Sequence, residues 1–208
     1  NQEAVTFTYD TRFALETSFN GDDLLTTRIR SGNFGTGPFS FADGAASSLE
    51  AASSTGNALN VDRAFYQFPV GESFTATIGA LVRQDDMLGV WPSAYPSDAV
   101  LNVLSFAGAN DTYAKAMGAG AGLTYAKGQW TASALFVSEE ADSSANATDA
   151  GAGGGLLTAQ GSDDVTGQIA WVDDNFTIAA AYTVRDNGNW EEAPDSNDYS
   201  SWGISGVY

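Results

Sequence analysis

The sequence predicts an all-β chain, and within that class a transmembrane antiparallel β-barrel. Three observations carry the prediction. Apolar and polar side chains alternate with a period of two over runs of about ten residues, which gives each strand one greasy and one wettable side. Short turns alternate with long connections along the whole chain, and large aromatic residues gather beside the short turns. Strands of roughly ten residues suit a tilted bilayer crossing, and barrels carry short turns at one rim and long loops at the other.

The first hairpin opens with "VTFTYDTRFALETSF", residues 5–19. Val5, Phe7, Tyr9, Phe13, Leu15 and Phe19 share one parity, and Thr6, Thr8, Asp10, Arg12, Glu16 and Ser18 the other. The turn "NGDD" follows, its Asn-Gly pair being a strong hairpin signal. "LLTTRIRSGNF" then sets Arg28 and Arg30 opposite Leu25 and Ile29. The second hairpin joins "VDRAFYQFPV" to "FTATIGALVRQ". Tyr66, Phe68, Val70, Phe74, Ala76, Ile78 and Val82 fall on its apolar face, and Arg63, Gln67, Thr75, Thr77 and Arg83 on its polar face. The third joins "MGAGAGLTYA" to "WTASALFV" through residues 127–129. In the fourth, "VTGQIAWV" turns at 173–175 into "FTIAAAYTVRD", with Phe176, Ile178, Tyr182 and Val184 on one side and Arg185 on the other. "SWGISGVY" begins a ninth strand.

Between hairpins lie segments at about 35–60, 85–116, 138–162 and 186–200. Compact soluble domains rarely hold several such loops. Segment 138–162 is low in complexity, and its "GAGGGL" lacks the lysine and strand-turn-helix setting of a phosphate loop. Segment 85–116 is richer in Trp, Pro and Leu. "PSDAVLNVLSFAG" predicts a short helix over 97–107, with Ser97 as N-cap and Val100, Leu101, Leu104 and Phe106 at helical spacing. That segment either folds into a lumen or packs on a neighbouring subunit. Phe19, Phe68, Phe74, Tyr125, Trp130, Trp171 and Phe176 all lie near a short turn on the apolar parity. They predict an aromatic girdle at one membrane interface; in a soluble sandwich they would close one end of a core.

The 208 residues include 26 acids against eight bases, for a formal charge of −18. Histidine and cysteine are absent, which removes disulfides, thiolate metal sites, the usual general base and every His-dependent triad. No enzyme, cofactor or metal centre is expected. Acidity without a basic patch excludes nucleic acid as a partner. No apolar run approaches a spanning helix, which leaves barrel strands untouched as an option. The opening "NQEAVTFTYD" has no basic or apolar region of a signal peptide.

The candidate functional residues are the wall arginines Arg12, Arg28, Arg30, Arg63, Arg83 and Arg185, all on the polar parity. An arginine facing lipid at mid-bilayer costs about 2–4 kcal/mol, whereas one facing a wet lumen costs little. Opposite them, Asp85, Asp86, Asp98 and Asp111 of segment 85–116 are the candidate constriction acids. A basic wall facing acidic loops would set up a transverse field that filters solutes. Alternatively the arginines pair with Asp10, Glu16, Asp62 or loop acids and only stiffen the wall. The pairs Asp85–Asp86 and Glu191–Glu192 have the oxygen chemistry for a hard cation, but solvated surface charge is favoured for both.

"DTRFALETSFNGDDLLTTRIRSGNF", "NVDRAFYQFPVG" and "AGAGLTYAKGQWTASALF" resemble the cyanobacterial branch of the carbohydrate-selective porin family, often labelled iron uptake porin. The resemblance runs through most of the chain and is strongest in the first two hairpins. It implies an outer-membrane barrel of roughly sixteen strands, usually a homotrimer, passing small solutes or inorganic ions. It also implies a preceding region that tethers the barrel to peptidoglycan. About nine strands over 1–208 then correspond to one domain that is part of a longer porin. The competing expectation is a soluble all-β adhesion or glycan-binding module with the aromatics inside; a membrane-embedded hydrolase comes third.

Overall fold

The computed structural model describes residues 5–35, 48–143, 154–158, 161–187 and 198–208. They form one nine-stranded antiparallel sheet: β1 (Asp10–Thr17), β2 (Leu24–Gly32), β3 (Asn60–Val70), β4 (Phe74–Arg83), β5 (Met117–Lys127), β6 (Trp130–Ser138), β7 (Asp163–Val172), β8 (Thr177–Asp186) and β9 (Tyr199–Val207). Each strand pairs with its neighbours in sequence, in the order β1 to β9. The four hairpins and the four long connections fall where the alternation predicts them. β1 and β9 are the two edges, and the described sheet is not closed into a barrel.

The two faces differ in an unusual sense. On one, hereafter the outer face, large apolar side chains stand exposed: Phe13, Leu15, Ile78, Val165, Ile169, Ile178, Tyr182, Val184, Trp202 and Ile204, with Trp202 73% exposed. Neighbouring strands bring Trp130 opposite Trp171 and Phe74 opposite Tyr125. Their ring centroids lie 4.9 Å and 5.1 Å apart, and Phe19, Tyr66 and Phe68 continue the row with spacings of 6.2 Å and 5.5 Å. These rings follow the short-turn end of the sheet. At the first turn, Asp23 accepts from Ser18 Oγ and from the backbone N–H groups of Phe19 and Asn20, and from the Tyr66 hydroxyl. The Tyr66 hydrogen bond foremost holds the Asp23 carboxyl well below its ordinary range.

The inner face is polar and covered. The connection from β4 to β5, residues 84–116, crosses it as a strap. Glycines make room for it. Gly120 and Gly122 alternate inward along β5, and a β-carbon on Gly122 would stand 3.0 Å from Met87 Cβ. Thr124 Oγ1 donates to the Met87 carbonyl at 3.0 Å, and the Gly89 N–H donates to Ser133 Oγ at 2.8 Å. Met87 thereby joins Phe65, Val82, Ala116, Leu135 and Val137 in a small apolar cluster beneath the strap.

Two details depart from the sequence reading. Val82 was expected on the face of Ile78, but it is fully buried on the inner face. Register shifts between Gly79 and Val82 against β5, and between Ala64 and Phe65 against β3, interrupt the alternation there, so that Val82 and Arg83 are both buried. The helix expected over 97–107 is also absent; only Asn102–Leu104 makes a 3-10 turn. The backbone that a helix would have used is engaged elsewhere. Glu50 N–H donates to the Val100 carbonyl, Asn102 N–H to the Ser48 carbonyl, and Leu101 bridges Leu49 in extended conformation. Ser97, expected as the cap, gives its hydroxyl to Asp85 at 2.5 Å.

Because the strap rests on glycines, Gly122→Leu is expected to destabilise the fold by about 1–3 kcal/mol through overpacking. Limited proteolysis should then cut within 84–116, a segment expected to resist cleavage in the native protein.

Candidate functional site

The wall arginines all reach the inner face, where none is left to balance itself. Arg30 on β2 binds Asp10 on β1 at 2.6 Å, and Arg28 binds Asp62 at 2.6 Å. Arg63 on β3 binds Asp86 at 2.5 Å, and Arg83, the last residue of β4, binds Asp85 at 2.5 Å. Asp62 lies 3.8 Å from Arg30 and 3.6 Å from Arg63, linking the β2 and β3 cations. Asp98 on the strap ties three strands together, at 2.8 Å from Arg12, 3.2 Å from Arg28 and 3.0 Å from Arg83. Glu50 joins Arg83 at 3.3 Å to Lys115 at 2.8 Å, and the Lys115 ammonium also lies 4.1 Å from the centre of the Phe106 ring. The connected set contains six cations (Arg12, Arg28, Arg30, Arg63, Arg83, Lys115) and six carboxylates (Asp10, Glu50, Asp62, Asp85, Asp86, Asp98), so its formal charge is zero.

Removing twelve charged groups from water is tolerable only with such matching, because a buried charge without a partner costs several kcal/mol. The strap acids show the competition. Burial tends to raise the Asp98 carboxyl, but Arg83, Arg12 and Arg28 outweigh it and hold the group well below the usual range. Asp85 is likewise lowered, its burial overcome by the hydrogen bonds and charge of Arg83. Asp86 goes the other way, raised by burial and by the adjacent Asp85 against the pull of Arg63. Burial also lowers Lys115, against the charge of Glu50.

Arg185 on β8 stands apart, bound to Glu139 at 2.6 Å and 3.3 Å from Asp164 on β7. Between the two groups, the strap is fastened by neutral hydrogen bonds. Gln84, fully buried, donates to Thr166 Oγ1 at 2.7 Å and to the Thr112 carbonyl at 3.0 Å, and its Oε1 accepts from the Lys115 N–H at 2.9 Å. Thr183 Oγ1 donates to the Thr112 carbonyl at 2.7 Å, Gln168 Nε2 to the Tyr113 hydroxyl at 3.1 Å, and Ser205 Oγ to the Ala107 carbonyl at 2.7 Å.

Of the four strap acids singled out by sequence, Asp85, Asp86 and Asp98 meet wall arginines, whereas Asp111 is exposed and stands away from them. Asp85 and Asp86 are not solvated surface charge; they are half-buried to buried counter-ions, because Arg83 and Arg63 draw them down to the sheet. No set of three acidic residues among the described residues could hold a metal ion. Glu191 and Glu192 lie outside the described residues. Glu16, expected as an arginine partner, is exposed and forms no ion pair with an arginine among the described residues. Sequence reasoning missed Gln84 and Glu50. Gln84 carries no charge or motif, and Glu50 sits in a connection whose path no periodicity reveals.

Comparison of the chain with protein-family models, curated proteins and solved structures finds no match.

The sign of the Asp98 effect follows from its lowered value. Its contribution to stability is present above the unfolded value of about 3.9 and is lost as pH falls below that toward the folded value. Asp98→Asn should therefore cost about 1–3 kcal/mol at neutral pH, since three guanidinium groups lose their shared anion. Urea unfolding followed by tryptophan fluorescence should show the gap between native and variant protein narrowing below about pH 4.

Proposed function

We propose that the chain is part of an outer-membrane porin that lets small solutes or inorganic ions diffuse down their gradients. The observation that carries this reading is the inverted distribution of side chains. Exposed apolar groups cover the outer face, aromatic pairs edge it at the short turns, and charged and hydroxyl groups fill the inner face. Water gives no reason to expose such a face, since soluble monomers rarely show contiguous apolar patches beyond a few hundred Å². Lipid does: the apolar side chains meet hydrocarbon and the rings sit at the headgroup level.

In this reading the sheet is one arc of a larger barrel, closed by further strands that satisfy the edges of β1 and β9. Arg12, Arg28, Arg30, Arg63, Arg83 and Arg185 line the lumen, and the strap carrying Asp85, Asp86 and Asp98 narrows it. The paired wall is a stiff frame: each guanidinium is held by carboxylates on neighbouring strands or on the strap. Transport needs no covalent chemistry. A homotrimer, in which neighbouring outer faces cover one another, and a tether to peptidoglycan through another region of the protein belong to the same proposal. Neither histidine nor cysteine is present to bind iron tightly, so an iron cargo would pass without strong ligation.

The test is a planar-bilayer recording on detergent-extracted full-length protein under a KCl gradient. Stepwise conductance is expected, and its absence from inserted protein would sink the proposal. A second measurement separates lipid from water at the outer face. Ile169→Arg is expected to lower folding stability in vesicles by about 2–4 kcal/mol. At the surface of a soluble module the same change would cost less than about 0.5 kcal/mol.

A further inference from the structure

The charge that a permeating solute meets is what remains once the inner-face network has neutralised itself. All eight cations of the chain lie among the described residues, and six of them belong to that network. Within it the cations sit deeper than the acid that covers them. The side chains of Arg12, Arg28, Arg30, Arg63, Arg83 and Lys115 are at most 20% exposed. Asp98, which bridges Arg12, Arg28 and Arg83 from the strap, is 31% exposed. The member of the network that water reaches most is therefore a carboxylate.

Two cations remain. Arg185 is itself outnumbered, by Glu139 at 2.6 Å and Asp164 at 3.3 Å. Lys127 ends β5 at the short-turn end of the sheet, where Asp22, Glu72 and Asp174 are exposed. Six of the 26 acids are spent in the network, so twenty stand against these two cations, and the whole of the −18 lies outside the network. At the long-loop end Asp111 on the strap, Asp142 beyond β6, Asp186 at the end of β8 and Asp198 just before β9 are exposed. Beside Asp111, the Thr112 hydroxyl meets that of Ser201 on β9 at 2.8 Å, which brings the strap acid to the same rim as Asp198.

We infer that the passage prefers small hydrated cations to anions, and that Asp111, Asp142, Asp186 and Asp198 set this preference at its long-loop mouth. The inference rests on the porin reading and supplies its substrate class. An acidic rim concentrates counter-ions and repels anions over about a Debye length, roughly 10 Å at 0.1 M salt. An anion-selective wall would need guanidinium groups open to solute, whereas each of the six wall arginines is bound to a carboxylate. The cations pass and are not retained. No three carboxylates among the described residues gather to hold a hard cation, which keeps its water shell on the way through.

The reversal potential of the full-length protein in a planar bilayer under a KCl gradient tests the inference. The native protein is expected to favour potassium over chloride at about 0.1 M salt, and less so at about 1 M, where the Debye length shrinks to about 3 Å. Asp111→Lys combined with Asp142→Lys should lower the permeability ratio of potassium to chloride by about threefold or more. Both positions are exposed and neither holds a wall arginine, so the barrel should insert as before. Asp111→Asn combined with Asp142→Asn should give an intermediate ratio. Inserted but silent protein would overturn the porin reading and this inference with it. Conductance steps that favour chloride, or a ratio indifferent to the paired lysine variant, would overturn this inference alone.

Discussion

The matching of six cations by six carboxylates on the inner face is the constraint from which the rest of the architecture follows. Strands β1 to β4 turn Arg12, Arg28, Arg30, Arg63 and Arg83 to one side, and five guanidinium groups so close together repel one another strongly in a medium less polar than water. Asp10 and Asp62 on the strands are too few to offset them. The strap supplies Asp85, Asp86 and Asp98, and the preceding connection supplies Glu50. The course of the chain between β4 and β5 is therefore an electrostatic requirement of the wall as much as a connection between hairpins.

Once the strap is drawn down by charge, local chemistry decides where it can lie. Small inward residues on β5 and β9 leave a shallow track: Gly120 and Gly122 under Met87, and Gly203 beneath Ala109, where a β-carbon would approach to 2.7 Å. Hydroxyl groups on β6, β8 and β9 meet the strap's backbone, so that crossing a polar face leaves fewer of its groups unpaired. Charge fastens the half near β1 to β4, and neutral hydrogen bonds fasten the half near β7 to β9.

Strand alternation was legible in the sequence because it is imposed residue by residue: every outward Phe, Ile or Trp advertises its face. The hairpin turns were legible for the same local reason, Asn20-Gly21 and Lys127-Gly128 among them. The fate of the arginines was only half legible. Parity set their side of the sheet, but whether they faced an open gap or a carboxylate depended on where Glu50 and Asp98 came to rest, and no periodicity encodes that. Val82 defeated the alternation because a bulge is invisible to a period-two count. The helix expected at 97–107 failed because helical spacing of Val100, Leu104 and Phe106 cannot report that Ser48 and Glu50 claim the backbone of residues 100–102. In each case a contact distant in sequence overrode a local preference.

The anchoring of the strap bears on the order in which the molecule assembles. Gln84 and Thr112 take their partners from β7, β8 and β9, so Gln84 and Thr183 are separated by 99 positions in sequence. Each hairpin can close on contacts within a few tens of residues, whereas the strap has no complete set of partners until the ninth strand is in place. Loop-closure entropy thus puts its settling late, after the sheet beneath it has formed. Before that moment the arginines of the first four strands lack Asp98, and the growing sheet carries its strongest charge imbalance on the face that will end up most nearly neutral.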